Sequence, residues 1–311
     1  MKIKEFSYRP LFMKMWEDYP KLWKLLIDMG TFMKYKTLNV DKLPEKVTFP
    51  SSTMIYINSN ENRGRALLVK EGITQKRLYH FWNKLVKEYS PDLIIDVGVN
   101  YGECIFSTVY PIHSEIYGIE ANHSLLKYIS KSKEVHPNQS QISIIHALAS
   151  DQNAVEKDFY IDQNWSGTSS ASYVPSHNMV ERVPVQTVTI DALIKEKASY
   201  NTFLFKVDVE GYEAFVLKGM EDLLANCESA IGFLEFNSDY IDKSGISSDQ
   251  FFNYLQRHFS IYMYREDDTL TCADHLKLSH LQELFRSTYI HTDFVLVGGN
   301  MPLNVEELFA P

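Results

Sequence analysis

The sequence predicts an α/β protein built on a mostly parallel sheet with helices on both faces. Three observations predict it. From about residue 90 onward, apolar runs of strand length alternate with helix-like patterns, as parallel strands joined by crossover helices do. The first of these runs, LIIDV (93–97), leads into a turn holding two glycines, at the point where an open α/β sheet places its ligands. Two strand-like runs, SIYMYRE (260–266) and TDFVLVGG (292–299), follow the last of the alternating units, an arrangement that often adds an antiparallel edge.

The elements follow in chain order. KMWEDYPKLWKLLIDMGTFMK (14–34) has a helical pattern broken near Pro20, because proline lacks the N–H a helix interior needs. MIYIN (54–58) reads as a strand and QKRLYHFWNKLVKEY (75–89) as a helix feeding the first core strand. Residues 1–90 are thus expected to form a mainly helical extension ahead of a domain over 91–311. The tryptophans and methionines of the extension read as core packing; the other reading is a partner surface, such as a homodimer contact.

After LIIDV, residues 102–110 read as a helix and EIYGIE (115–120) as a strand. NHSLLKYISKS (122–132) reads as a helix whose first N–H groups Asn122 can cap. QISIIHALA (141–149) is the third strand. A short strand at 155–161 and a Ser-rich loop, NWSGTSSASYVPS (164–176), come next. VPVQTVTI (183–190) is strand-like, and DALIKEK (191–197) is a short helix with Asp191 as its cap. The alternation resumes with a strand at 202–209, a helix at 212–227, a strand at 230–236 and a helix at 247–259 capped by Ser247 or Ser248.

The chemistry gathers at the strand ends. Asp96, Gly98, Asn100 and Gly102 follow the first strand in the pattern G-x-N-x-G. A pyrophosphate cradle needs G-x-G-x-x-G. An acid ahead of the turn is badly placed for phosphate and well placed for a cation, and S-adenosylmethionine carries both an ammonium and a sulfonium. Glu120 ends the second strand, where a carboxylate can accept from ribose hydroxyls. Asp208 and Glu210, two apart after the fourth strand, could project to one side. There they could orient an acceptor hydroxyl, take its proton or hold a metal; Glu210 could instead cap the next helix. Lys206, if buried, needs a partner, and Asp208 shares its face. Glu235 and Asn237 end the fifth strand, facing an acceptor or finishing the strand. His146 reads as a core or edge residue, and His177 as a secondary base candidate. The Ser/Thr run 166–172 is solvated loop or acceptor-pocket lining.

Bulk properties exclude several classes. A net charge of −9 disfavours a general nucleic-acid binder. Cys104, Cys227 and Cys272 are too scattered for a disulfide framework or a zinc site, which fits a reducing, cytoplasmic compartment. The first residues lack a signal-peptide core, and no apolar stretch is long enough to span a membrane.

Taken together, the blocks IIDVGVNYGE (94–103), IYGIEANHSLL (116–126), HALAS (146–150) with VPVQTVTIDAL (183–193), and FLFKVDVEGYEAFVLKGM (203–220) followed by FLEFN resemble the FkbM-type S-adenosylmethionine-dependent methyltransferases. The resemblance covers about residues 90–300, and K-x-D-V-E-G-x-E is its most specific block. It implies a Rossmann-like, seven-stranded sheet, S-adenosylmethionine as cofactor, and methyl transfer to a hydroxyl of a sugar, glycan or small secondary metabolite. Carried over by position, Asp96, Gly98, Asn100 and Gly102 form the methionine-side turn, and Glu120 holds the ribose. Ala147, Leu148, Ala149 and Ser150 flank the adenine. Asp208 and Glu210 face the reacting centre, with Glu235 behind them, and no resident metal is expected. Tyr101 and Ala121 complete the cofactor pocket; with Val99 they depart from the family's usual residues, which reshapes the pocket and spares its polar contacts. Three rival readings are a nicotinamide-dependent oxidoreductase or epimerase, opposed by Asn100, a noncatalytic binding protein on the same fold, and a Mg²⁺ or Mn²⁺ site at Asp208, Glu210 and Glu235.

Overall fold

A computed structural model of the chain describes residues 19–175, 179–194, 200–265, 269–300 and 305. The N-terminal part supplies α1 (Pro20–Tyr35), a hairpin of β1 (Lys46–Thr48) and β2 (Met54–Tyr56), α2 (Asn62–Val69) and α3 (Lys76–Tyr89). Pro20 opens α1 rather than breaking it, since a first-turn N–H needs no partner. Residues 14–18 of the expected helix lie outside the described residues. This part is not set apart from the sheet by its packing: Leu67, Phe81, Trp82 and Leu85 share one buried cluster with Ile94, Leu204 and Phe233 of the sheet.

The core follows as β3 (Leu93–Val97), β4 (Glu115–Glu120), α4 (Leu126–Glu134), β5 (Ile142–His146), β6 (Leu148–Ala149), β7 (Glu156–Asp162) and β8 (Val180–Val188). Next come α5 (Ile190–Ile194), β9 (Thr202–Val207), α6 (Glu213–Lys218), α7 (Glu221–Asn226) and β10 (Ser229–Asn237). The chain then forms α8 (Ser238–Lys243), α9 (Ser248–His258), β11 (Ser260–Tyr264), β12 (Leu270–Cys272), α10 (Leu278–Phe285) and β13 (His291–Gly298).

Among the described residues the main sheet has eight strands, in the order β12-β11-β13-β10-β9-β3-β4-β5. The expected seven are present. The eighth, β12, is a three-residue, half-buried antiparallel edge on β11, too short for an apolar pattern to reveal. The pairs from β5 across to β10 are parallel, whereas β13 runs antiparallel to both β10 and β11. The chain builds outward from β3 on one side and then from β9 on the other. The switch point therefore lies between the carboxyl ends of β3 and β9, where ligands bind in open α/β sheets.

Several local expectations need correction. Residues 102–110 form turns, not a helix: the Phe106 N–H donates to Gly102 O at 3.0 Å, but β-branched residues and Pro111 follow and the turn does not propagate. The third strand breaks at His146, and Leu148–Ala149 instead pairs with β8 in a second sheet. The helix expected over 212–227 is two helices. Gly219 separates them because the backbone passes against Ser150, and a Cβ there would lie 2.0 Å from the Ser150 carbonyl oxygen. Asp191 does not cap its own helix; Thr189 Oγ1 does, accepting from Ala192 N–H at 3.2 Å. Asp191 instead accepts from Asp222 and Leu223 N–H, at 3.2 and 2.9 Å, at the start of α7. Asn122 and Ser247 cap as expected. Among the described residues no helix is long and apolar enough to cross a membrane.

Candidate active site

The turn after β3 is shaped by what lies beneath it. Gly98 has φ 81°, and a Cβ there would sit 2.0 Å from the Asp208 carbonyl oxygen. The turn is thus pressed onto the end of β9, and only glycine fits. Asn100 takes φ 52°, a left-handed conformation that asparagine tolerates better than most residues. Its Nδ2 donates to Ser166 Oγ at 3.2 Å, joining the turn to the Ser-rich loop.

Under the turn, Asp96 is fully buried and Lys206 is 4% exposed. Lys206 Nζ lies 3.2 Å from Asp96 Oδ1 and 3.6 Å from Asp208 Oδ2, and donates to Gly98 O at 2.9 Å. Burial opposes the ammonium, but the Asp96 and Asp208 carboxylates outweigh it and raise the Lys206 pKa. One cation therefore ties the first-strand acid, the glycine turn and the fourth-strand acid together. The buried lysine has the partner that its burial requires.

Glu120 is rigidly held. Its Oε2 accepts from Asn100 N–H at 2.6 Å and its Oε1 from Asn122 N–H at 2.7 Å. Each carboxylate oxygen keeps a further lone pair. Beside it, Asn122 Nδ2 is buried without a hydrogen-bond partner. Ala147, Leu148, Ala149 and Ser150 cross from β5 to the second sheet and are buried. Ala121 and Leu148 share a small apolar cluster with Tyr212 and Phe159. Carboxylate oxygens with lone pairs to spare, an unpartnered donor and an apolar wall stand side by side here. Tyr101 is buried, and its hydroxyl donates to Glu61 Oε2 at 2.9 Å.

The carboxylates of Asp208, Glu210 and Glu235 each offer one oxygen, all within 4.8 Å of one another. The extended geometry assumed for the first two does not persist: Glu210 has φ 55° and reaches the cluster through a turn. Glu213 Oε1 accepts from Val209 and Gly211 N–H, at 3.2 and 3.0 Å. Burial and the neighbouring Glu235 carboxylate push the Asp208 carboxyl well above the usual range. Glu235 Oε1 lies 2.7 Å from His291 Nε2. Asn237 finishes the strand: its Oδ1 accepts from Tyr240 N–H at 3.2 Å. His146 lies at the strand edge, its Nε2 3.2 Å from Ala121 O. His177 lies outside the described residues.

Sequence reasoning missed Glu61, Glu103 and His291. Glu61 accepts from Ser166, Arg63 and Gly64 N–H at 2.9, 3.0 and 2.9 Å, binding the N-terminal part to the Ser-rich loop. Glu103 takes the Thr74 and Gln75 N–H groups and pairs with Arg63 at 2.8 Å. Only Glu61 carried a signal, an acid just ahead of a helix start.

The Rossmann-like sheet carries at its switch point a glycine turn, the strand-end acid Glu120 and a carboxylate cluster. The sequence pattern described as "Methyltransferase FkbM domain" matches residues 96–262, and the chain belongs to that family. It is an S-adenosylmethionine-dependent methyltransferase. Similar solved structures include an O-methyltransferase from Bacillus cereus in complex with SAH, at 8% identity and TM-score 0.40, covering 72% of this chain and 81% of that one. A SAM-dependent O-methyltransferase from Thermotoga maritima is 10% identical at TM-score 0.37, covering 73% of this chain and 66% of that one. The plantazolicin methyltransferase BpumL in complex with SAH is 12% identical at TM-score 0.39, covering 92% and 99%. A search of curated proteins found no match.

Proposed function

We propose that the protein moves a methyl group to a hydroxyl of a glycan, sugar or small secondary metabolite. The observation that carries this reading is the carboxylate cluster of Asp208, Glu210 and Glu235, set across the switch point from the glycine turn. S-adenosylmethionine, when bound, supplies a methyl group already activated on a sulfonium. Glu120 and Asn122 hold its ribose end, Ala121 and Ala147 to Ser150 wall the adenine, and the turn from Gly98 to Gly102 receives the methionine side. Asp96 acts from beneath that turn, through Lys206, rather than by direct contact. Much of the rate then comes from positioning. Asp208 takes the acceptor's proton, a contribution of ~10²–10⁴-fold, and Glu210 orients the hydroxyl. The Glu235–His291 contact gives that proton a second resting place. The described residues ahead of β3, 19–90, brace the site from one side, with Glu61 bonded to the Ser166 N–H and Glu103 to the Thr74 N–H.

The test is a screen of sugar nucleotides, glycans and hydroxylated metabolites with methyl-labelled S-adenosylmethionine, read by mass spectrometry. Label appearing only on nitrogen or carbon, or on no compound while S-adenosylhomocysteine still binds, would defeat the hydroxyl assignment.

A second reading draws on the same geometry. Three carboxylate oxygens within 4.8 Å of one another suit Mg²⁺ or Mn²⁺, which would then polarise the acceptor hydroxyl. Calorimetric titration with Mg²⁺, repeated on Glu235→Gln, decides: heat lost in the variant supports the metal, and no heat in the native protein excludes it.

A further inference from the structure

Helix α1 carries a continuous apolar face that nothing in the described structure covers. Leu22, Leu25, Leu26, Met29, Phe32 and Met33 recur at helical spacing and are all exposed; Leu25 is 54% exposed, Phe32 53% and Met33 69%. A monomer surface rarely carries such a stripe without a use. The opposite face is fixed to the body. Ile27 and Thr31 are buried, and Gly30 lets α1 approach α2 so closely that a Cβ would lie 3.0 Å from Val69 Cγ1. Lys34 Nζ donates to Leu68 O at 3.0 Å, and the Trp23 ring meets Trp165 edge-on at 5.8 Å. The helix is therefore held with its apolar stripe outward.

We propose that this face docks on an anionic lipid surface. Shape argues for it: a single helix riding on α2 presents a convex ridge, which inserts into a bilayer interface and offers no groove to a peptide. Charge argues for it as well. Residues 20–36 hold four lysines and one acid, on a chain of net charge −9; Lys34 turns inward to Leu68 O and to Glu71 at 3.1 Å, which leaves Lys21, Lys24 and Lys36 for the outward side. That acid, Asp28, is already paired with Lys24 and with Arg65 at 3.4 Å. Size argues against a second copy as the occupant. The 16-residue helix is about 24 Å long, and a stripe about 10 Å wide falls well below the ~800 Å² per partner of a stable interface. Self-pairing would also set lysines against lysines. The inner face of α1 meets, through Trp23 and Trp165, the loop whose Ser166 accepts from Asn100. The docking itself does not depend on which acceptor is methylated.

The test is co-sedimentation of the full chain with vesicles of phosphatidylcholine alone or mixed with phosphatidylglycerol. The expected result is binding to the anionic vesicles only, weakened by high salt. The double substitution Leu25→Asp with Phe32→Asp should lower partitioning by at least about tenfold, while S-adenosylhomocysteine affinity stays unchanged. Lys21→Glu with Lys36→Glu should also weaken it. Absence of binding to anionic vesicles, or binding indifferent to the Leu25 and Phe32 substitutions, overturns the proposal. So does a dimer in light scattering that those same substitutions split, since the face would then belong to a second copy.

Discussion

Glu235 and His291 lie on adjacent antiparallel strands and meet side chain to side chain, Oε1 to Nε2, at 2.7 Å. The same Glu235 shares the carboxylate cluster with Asp208, their oxygens within 4.8 Å of each other. The contact joins β10 to β13 at the edge of the carboxylate cluster. His291→Gln should therefore lower turnover by about tenfold, less than the ~10²–10⁴-fold of a direct acid–base group because His291 acts through Glu235, and leave S-adenosylhomocysteine affinity intact. Single-turnover methyl transfer beside calorimetry separates the two. Equal turnover would reduce His291 to a packing partner of Glu235.

Asp208→Asn should cut turnover more deeply, by ~10²-fold or more, because it removes the group proposed to take the proton. Cofactor affinity should change little. Loss of cofactor binding instead would assign Asp208 to the donor side of the site.

Glu120 accepts two backbone N–H groups, from Asn100 and Asn122, and so fixes both the turn and the start of the next element. Glu120→Ala should weaken S-adenosylhomocysteine binding by ~10–100-fold, roughly 1.4–2.8 kcal/mol. Calorimetry reads it directly, and unchanged affinity would remove Glu120 from the ribose.

Lys206 neutralises Asp96 in a buried site. Lys206→Met leaves that carboxylate without its cation and should cost about 3–5 kcal/mol of stability. Adding Asp96→Asn should recover part of the loss. Thermal unfolding of the single and double variants tests the coupling, and additive losses would refute it.

Burial pushes the Glu213 carboxyl up to about 7 from an ordinary 4.5. A folded-state pKa above the unfolded one means that the folded protein binds the proton more tightly. The resulting stability is full below about pH 4.5 and is lost as pH rises through about 7. Glu213→Gln keeps an acceptor oxygen for Val209 and Gly211 N–H and removes the titration. Urea unfolding at mildly acidic and mildly alkaline pH should show a smaller difference in the variant than in the native protein; an equal difference would place the titration elsewhere.

The alternation of strands and helices was legible because each element carries its period locally. β4, β9, β10 and α9 fall within a residue or two of where their patterns put them. The G-x-N-x-G turn and the K-x-D-V-E-G-x-E block were legible for the same reason, and they were enough to identify the family and its cofactor. The tail of the chain was less so: β12 has three half-buried residues and exists because β11 lies beside it.

What the sequence determined by itself was therefore the fold class, the cofactor and the acids at the strand ends, since short-range spacing encodes all of these. Only the tertiary structure decided what each acid does. Asp191 serves a helix other than its own, Glu213 holds the loop backbone at Val209 and Gly211, and Lys206 bridges two strand ends. Glu61 reaches Ser166 across 105 residues, and His291 reaches Glu235 across 56. Such contacts leave no period in the chain. They are fixed by the sheet order, which brings together carboxyl ends that the sequence keeps far apart.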